Sequence, residues 1–159
     1  MHIRAEDTSP LALGIRLGVS THTEKNGFMS YEVFGIYGIP WTLRVFSNWI
    51  LSTRLNASIG IMTQGNDTGF FATLSPGIAI SPYGGRLMLD TGGGLAITSK
   101  DKLGHHDFGG PFLFAAHGGI SYEFPWNLAI GYRFFHLSDG GIYNGHGLNR
   151  HLLELSYHF

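Results

Sequence analysis

Cysteine is absent from the 159-residue chain, which excludes disulfides and thiolate-ligated metal sites and leaves the redox compartment unspecified. No apolar run reaches the ~18 residues of a membrane-spanning helix; Gly, Ser, Arg or Asn interrupts every long stretch. Charge is scarce as well. Asp, Glu, Lys and Arg make up 13 % of the residues, about half the usual share of a soluble domain and too little to cover a large water-facing surface. The net charge of −1 carries no basic excess of the kind that marks a nucleic-acid binder. Met1-His2-Ile3-Arg4 leads directly into polar residues without a signal-peptide pattern, so any export signal is expected to have been removed.

What remains is rich in aromatics (14 %) and in glycine (24 residues), and its dominant signal is period-two alternation between turn-forming clusters. Strands are expected near 11–21, 28–38, 48–63, 69–81, 87–99, 110–124, 127–138 and 148–159. Gly65-Asn66-Asp67-Thr68 and Lys100 to Gly109 read as loops; Pro82-Tyr83-Gly84-Gly85 and Pro125-Trp126-Asn127 read as short turns. The whole chain, 1–159, is expected to form one domain, with 1–10 as an N-terminal extension or short periplasmic segment.

The two faces of each strand separate cleanly. Leu51, Thr53, Leu55, Ala57, Ile59 and Ile61 share one side of the third strand against Ser52, Arg54, Asn56 and Ser58. The last strand sets Leu153, Leu155, Tyr157 and Phe159 against Arg150, Leu152, Glu154 and Ser156. Alternation alone does not say which face points outward, because a soluble lipocalin-like barrel would bury the apolar side. Charge decides. The mid-strand ionisable residues Arg16, Glu32, Arg54, Asp90, Glu123, Arg133 and Glu154 lie on the polar faces with mixed signs, as in a pairing network inside a narrow barrel. A water-facing wall would carry many more charges, Lys above all.

The pattern therefore specifies an all-β fold, an eight-stranded antiparallel transmembrane β-barrel of the bacterial outer membrane, apolar outside and polar inside. An even strand number brings both termini to the short-turn end. Trp41, Trp49 and Trp126 also fall there, as an aromatic girdle at one bilayer interface would. Gly92-Gly93-Gly94 interrupts a strand and reads as a barrel bend.

Against this pattern, His136 and Ser138 are out of place. They continue the apolar phase of Leu128, Ile130, Tyr132 and Phe134, so both should face lipid at the long-loop rim, where an unpaired polar group is costly. Residues two apart on a strand share a face with Cα atoms roughly 6.5–7 Å apart. His136 can then take the proton of Ser138 and turn a weak hydroxyl into a nucleophile. Asp139-Gly140-Gly141 follows directly, a tight turn whose backbone N–H groups could face a developing oxyanion. The imidazole needs a partner on its second nitrogen. Asn149 and His151 share the outward phase of the neighbouring strand and either could supply it, whereas Glu154 has the opposite parity. His105-His106-Asp107 lacks the ligand spacing of a closed metal site and reads as a solvated loop. His146 lies in the loop before the last strand, where it could approach the site or face solvent.

The run Gly131-Tyr132-Arg133-Phe134-Phe135-His136-Leu137-Ser138-Asp139-Gly140-Gly141-Ile142, followed by Gly147-Leu148-Asn149, resembles the C-terminal signature of the outer-membrane lipid A 3-O-deacylases. The likeness extends more loosely to Tyr31-Glu32 and to the stretch from Gly109 to Phe114. It implies an eight-stranded barrel with a lipid-facing serine nucleophile, Ser138, and a histidine base, His136, hydrolysing the 3-position acyl ester of lipid A without cofactor or metal. Lipopolysaccharide and outer-membrane lipids are the implied partners, with a homodimer left open. Two positions depart from the family pattern. It has Asn after the serine, where this chain has Asp139, and an acidic orienter near Asn149. Both changes point to weakened chemistry, and they support the alternative of a non-catalytic barrel that binds lipopolysaccharide or stabilises the membrane. A passive pore is disfavoured because side chains fill an eight-stranded interior.

Overall fold

The computed structural model describes residues 11–20 and 27–159; the expected extension at 1–10 lies outside them. Eight long strands close an antiparallel barrel: β1 (Leu11–Ser20), β2 (Met29–Val45), β3 (Trp49–Gln64), β4 (Asp67–Pro82), β5 (Leu87–Thr98), β8 (Phe112–Glu123), β9 (Leu128–Ser138) and β10 (Leu148–His158). Two short strands, β6 (Lys102–Leu103) and β7 (His106–Asp107), form a separate hairpin between β5 and β8. β1 pairs with both β2 and β10, so the sheet has no open edge. Closure pairs every wall strand with a neighbour on both sides, the condition for crossing hydrocarbon with strands.

The alternation sets the faces as expected. Leu13, Ile15, Leu17 and Val19 stand exposed on β1, while Arg16 between them is 1 % exposed. One loop expectation and one strand bound are corrected. Gly65–Thr68 is not a loop, since β3 and β4 pair through Gln64↔Asp67 and leave only Gly65-Asn66 as the turn. Gly65 supplies the positive φ, +61°, that this two-residue connection needs. The second strand also runs on to Val45. Its register against β3 shifts between Ile39 and Thr42, at Pro40, which has no N–H to give the ladder and so sits at a bulge.

Inside, the barrel has two zones. At mid-depth Arg133 binds Asp90 with two bonds of 2.5 and 3.0 Å, reaches Glu154 through Nε, and lies 2.6 Å from His117 Nδ1. Arg150 bonds Glu32 at 2.6 Å, and Arg16 lies between Glu154 and Glu32 with its guanidinium 3.7 Å from the Phe34 ring centroid. Removing one partner from such a buried pair costs about 3–5 kcal/mol, because the other charge is left without compensation.

Towards the loop end the interior becomes apolar, a zone the polar-in expectation missed. Met62, Phe71, Leu113, Phe135, Leu137, Leu148 and Leu152 meet Phe28, Leu103 and Phe108 from the loops. Leu103 and Phe108 come from the Lys100–Gly109 segment, which folds as the β6–β7 hairpin and seals that end. Each fully buried leucine here contributes about 1.5–3 kcal/mol relative to exposure. Truncating Leu148 to alanine would cost about 2–5 kcal/mol.

Candidate active site

The site lies on the outer wall where β8, β9 and β10 reach the loops. His136 on β9 stands directly opposite Asn149 on β10, and its Nδ1 lies 2.5 Å from Asn149 Oδ1. An amide oxygen only accepts, so Nδ1 carries the hydrogen and Nε2 keeps the lone pair that a base requires. Ser138 ends β9 opposite Phe114 of β8. Its side chain is on the same face as His136, and its Oγ accepts the Gly140 N–H at 3.1 Å. Among the described residues no hydrogen bond joins Ser138 to His136.

Between the two candidate orienters the geometry separates clearly. His151 pairs with Phe134, one step deeper along the ladder, and its Nδ1 lies 2.5 Å from Tyr132 Oη. Asn149 alone reaches His136.

Asp139 is turned away from the site. The residue is 4 % exposed, and its carboxylate accepts the N–H groups of Gly141 at 2.9 Å, Tyr143 at 3.0 Å and Gly145 at 2.8 Å. Gly141's N–H first, then those of Gly145 and Tyr143, hold this carboxyl below the usual carboxylate range. The expected oxyanion turn is corrected accordingly. The Gly141 N–H is committed to Asp139, the Asp139 charge faces its own loop, and Gly140 N–H is the donor directed at Ser138 Oγ. Gly140 (φ +64°) and Gly141 (φ +80°) hold the left-handed conformations of the turn.

The β5–β8 segment clasps this loop. His146 N–H donates to Asp107 O at 2.8 Å, and His106 Nε2 donates to His146 O at 3.0 Å. A Cβ on Gly110 would sit 2.5 Å from Tyr143 Cε2, so the tyrosine ring occupies that space. His106 is therefore a buried latch rather than part of a solvated loop. His146 contributes its backbone to the same latch. No group of three His, Cys, Asp or Glu among the described residues is placed to hold a metal.

The roles of two neighbours escaped the sequence reading. A Cβ on Gly147 would lie 3.0 Å from His136 Cε1, and one on Gly140 would lie 2.7 Å from Phe114 Cε2. Gly147 thus makes room for the imidazole, and Phe114 walls the serine turn. Cross-strand register, once known, is the signal that finds Phe114; nothing in the linear spacing does.

The sequence pattern of the lipid A 3-O-deacylase (PagL) family matches residues 26–158. The chain belongs to this family. No curated protein matches it. Among solved structures, the outer membrane enzyme PagL superposes with a TM-score of 0.83 at 16 % identity, covering 93 % of this chain and 99 % of that one. A de novo designed transmembrane β-barrel follows at 0.57 and 13 % identity, covering all of both chains. The Yersinia pestis outer membrane protein Ail stands at 0.50 and 10 %, with coverage of 94 % and 98 %. At these identities the superpositions speak for the barrel, and the family match speaks for the chemistry. Membership makes the chain an ester hydrolase of the outer membrane whose substrate is lipid A.

Proposed function

We propose that Ser138 is the nucleophile, His136 the general base and Asn149 its orienter in hydrolysis of the 3-position acyl ester of lipid A. The lipid approaches sideways in the outer leaflet. The observation that carries this reading is the His136 Nδ1–Asn149 Oδ1 bond at 2.5 Å, which leaves the Nε2 lone pair available on the same lipid-facing wall as the Ser138 hydroxyl.

In the first half-reaction Ser138 Oγ attacks the ester carbonyl while its proton passes to His136 Nε2. The tetrahedral oxyanion takes the Gly140 N–H, aimed today at the serine oxygen itself. Collapse breaks the bond to the sugar 3-oxygen, which leaves with the proton from Nε2, and the acyl chain stays on Ser138. Water then attacks the acyl-enzyme, His136 takes and returns its proton, and a free fatty acid departs. Asn149 fixes the tautomer but carries no charge, so it stabilises the imidazolium less than a carboxylate would. Slow turnover is the expected consequence. Phe114, Phe134 and Ile142, all exposed, offer apolar surface to the acyl chain. Every group named lies on one chain, so a monomer suffices, and neighbouring membrane lipids cover the rest of the wall.

Refolded protein in detergent micelles is incubated with lipid A and the products are weighed by mass spectrometry. Loss of one hydroxyacyl chain, abolished in Ser138→Ala, is the expected result. Lipid A left intact across several acylation types would favour the non-catalytic barrel.

A further inference from the structure

The periplasmic end of the barrel, remote from the serine, contains a cavity of about 370 Å³, near the small end of the range for ligand sites. Ser52, Ser81 and Ser121 line it, Arg54 and Met88 stand at its inner end, and Arg86 lies near its mouth among the short turns. Glu123 and His158 face it too, 3.4 Å apart and paired with each other.

Arg54 is the unusual member. Among the described residues, four buried arginines (Arg16, Arg54, Arg133, Arg150) share the lumen with three buried carboxylates (Glu32, Asp90, Glu154). Arg133 takes both Asp90 oxygens, Glu154 is shared by Arg133 and Arg16, and Glu32 is held by Arg150. Arg54 is left with a contact of 3.9 Å to the occupied Asp90. Its Nη2 rests on the Met88 sulfur, a weak acceptor. Its Nε is buried without a hydrogen-bond partner, as are Arg16 Nε and two nitrogens of Arg150, but among the described residues no aromatic ring covers it as Phe34 covers Arg16 and as Phe71 and Phe135 flank Arg150. A buried cation with donors unspent is expensive, and here it borders a cavity that opens towards the periplasm.

We propose that this vestibule binds a small phosphate-type oxyanion on Arg54, with the serine hydroxyls as secondary donors and Arg86 attracting it at the mouth. A guanidinium suits such a ligand because its parallel N–H groups match two oxygens at once. The oxyanion has two sources, free phosphate or the headgroup of an inner-leaflet phospholipid, since the girdle residues Trp41 and Trp126 are exposed at the same end.

The refolded full chain in non-ionic detergent is titrated with inorganic phosphate against chloride at constant ionic strength, reading thermal unfolding by tryptophan fluorescence. A second arm uses dihexanoylphosphatidylglycerol below its micellar concentration. A saturable rise in Tm is expected in at least one arm. Saturation with phosphate identifies the free ion as sufficient, and saturation only with the lipid identifies the headgroup. Arg54→Gln should weaken binding by about tenfold or more, and Arg86→Gln by a smaller factor. If Arg54→Gln does not fold, Ser121→Leu, which fills the cavity and leaves the ion pairs intact, should abolish the shift. No saturable response in either arm overturns the proposal, as does an unaltered response in Arg54→Gln or Ser121→Leu.

Discussion

The two faces of β9 carry polar groups three residues apart and treat them differently. On the inner face Arg133 has both ends of its guanidinium bound to carboxylates and is 2 % exposed. On the outer face, three residues along, His136 has one nitrogen held by Asn149 and the other free for chemistry. Inside, the pairing of Arg133 is complete and it acts as a brace. Outside, pairing stops one bond short, at the membrane surface where the proposed mechanism brings the substrate ester. Polar residues of the same strand are structural or reactive according to whether their last hydrogen bond is already made.

That contrast can be broken most severely at Ser138. Ser138→Ala should lower lipid A deacylation by about a thousandfold or more while the heat-modifiable gel shift of the folded barrel stays as in wild type. Arg133→Gln should do the reverse: a stability loss of about 3–5 kcal/mol, seen as a lower urea midpoint, with the surviving folded fraction still active. Activity lost in a fully folded Arg133→Gln barrel would mean that the inner network also tunes the chemistry.

Asp139 sharpens the contrast, because it is a paired acid that serves the reactive side. Asp139→Ala frees three loop N–H groups and should reduce kcat by about 10- to 100-fold with little change in barrel stability; Asp139→Asn should retain more. Its carboxyl titrates below the ordinary value in the folded loop, so its stabilisation is fully present above the unfolded value of about 4. That stabilisation disappears as pH falls through the lower folded value. Protease protection of the 139–147 loop should thus persist at about pH 5 and fail only in stronger acid, and Asp139→Asn should remove that dependence. The smallest effect is expected at the orienter. Asn149→Asp supplies a charge to the imidazolium and should raise kcat by a few-fold, read as the initial rate of fatty-acid release.

Much of this was legible in the sequence. Arg16, Glu32, Asp90, Arg133 and Glu154 fall on the inner face because period two allows nothing else, and the scarcity of charge orients that face inward. His136 and Ser138 stood out because they broke the same rule. The apolar plug was not legible. Phe135, Leu137, Leu148 and Leu152 share the inner phase with Arg133 and Arg150, and only contact with Leu103 and Phe108 from a distant loop explains them. The role of Asp139 was hidden for a similar reason, since its partners at Gly141, Tyr143 and Gly145 are backbone groups, and backbone groups leave no trace in residue identity. The separation of Asn149 from His151 needed the β9–β10 register, which fixes His136 against the former.

The most direct test of the account is covalent capture of the nucleophile. The folded barrel in detergent is treated with a long-chain alkyl fluorophosphonate and the modified peptide is mapped by mass spectrometry. The expected result is one adduct, on Ser138, that disappears in His136→Ala. An adduct on another serine, or labelling of Ser138 that is unchanged without His136, would contradict it.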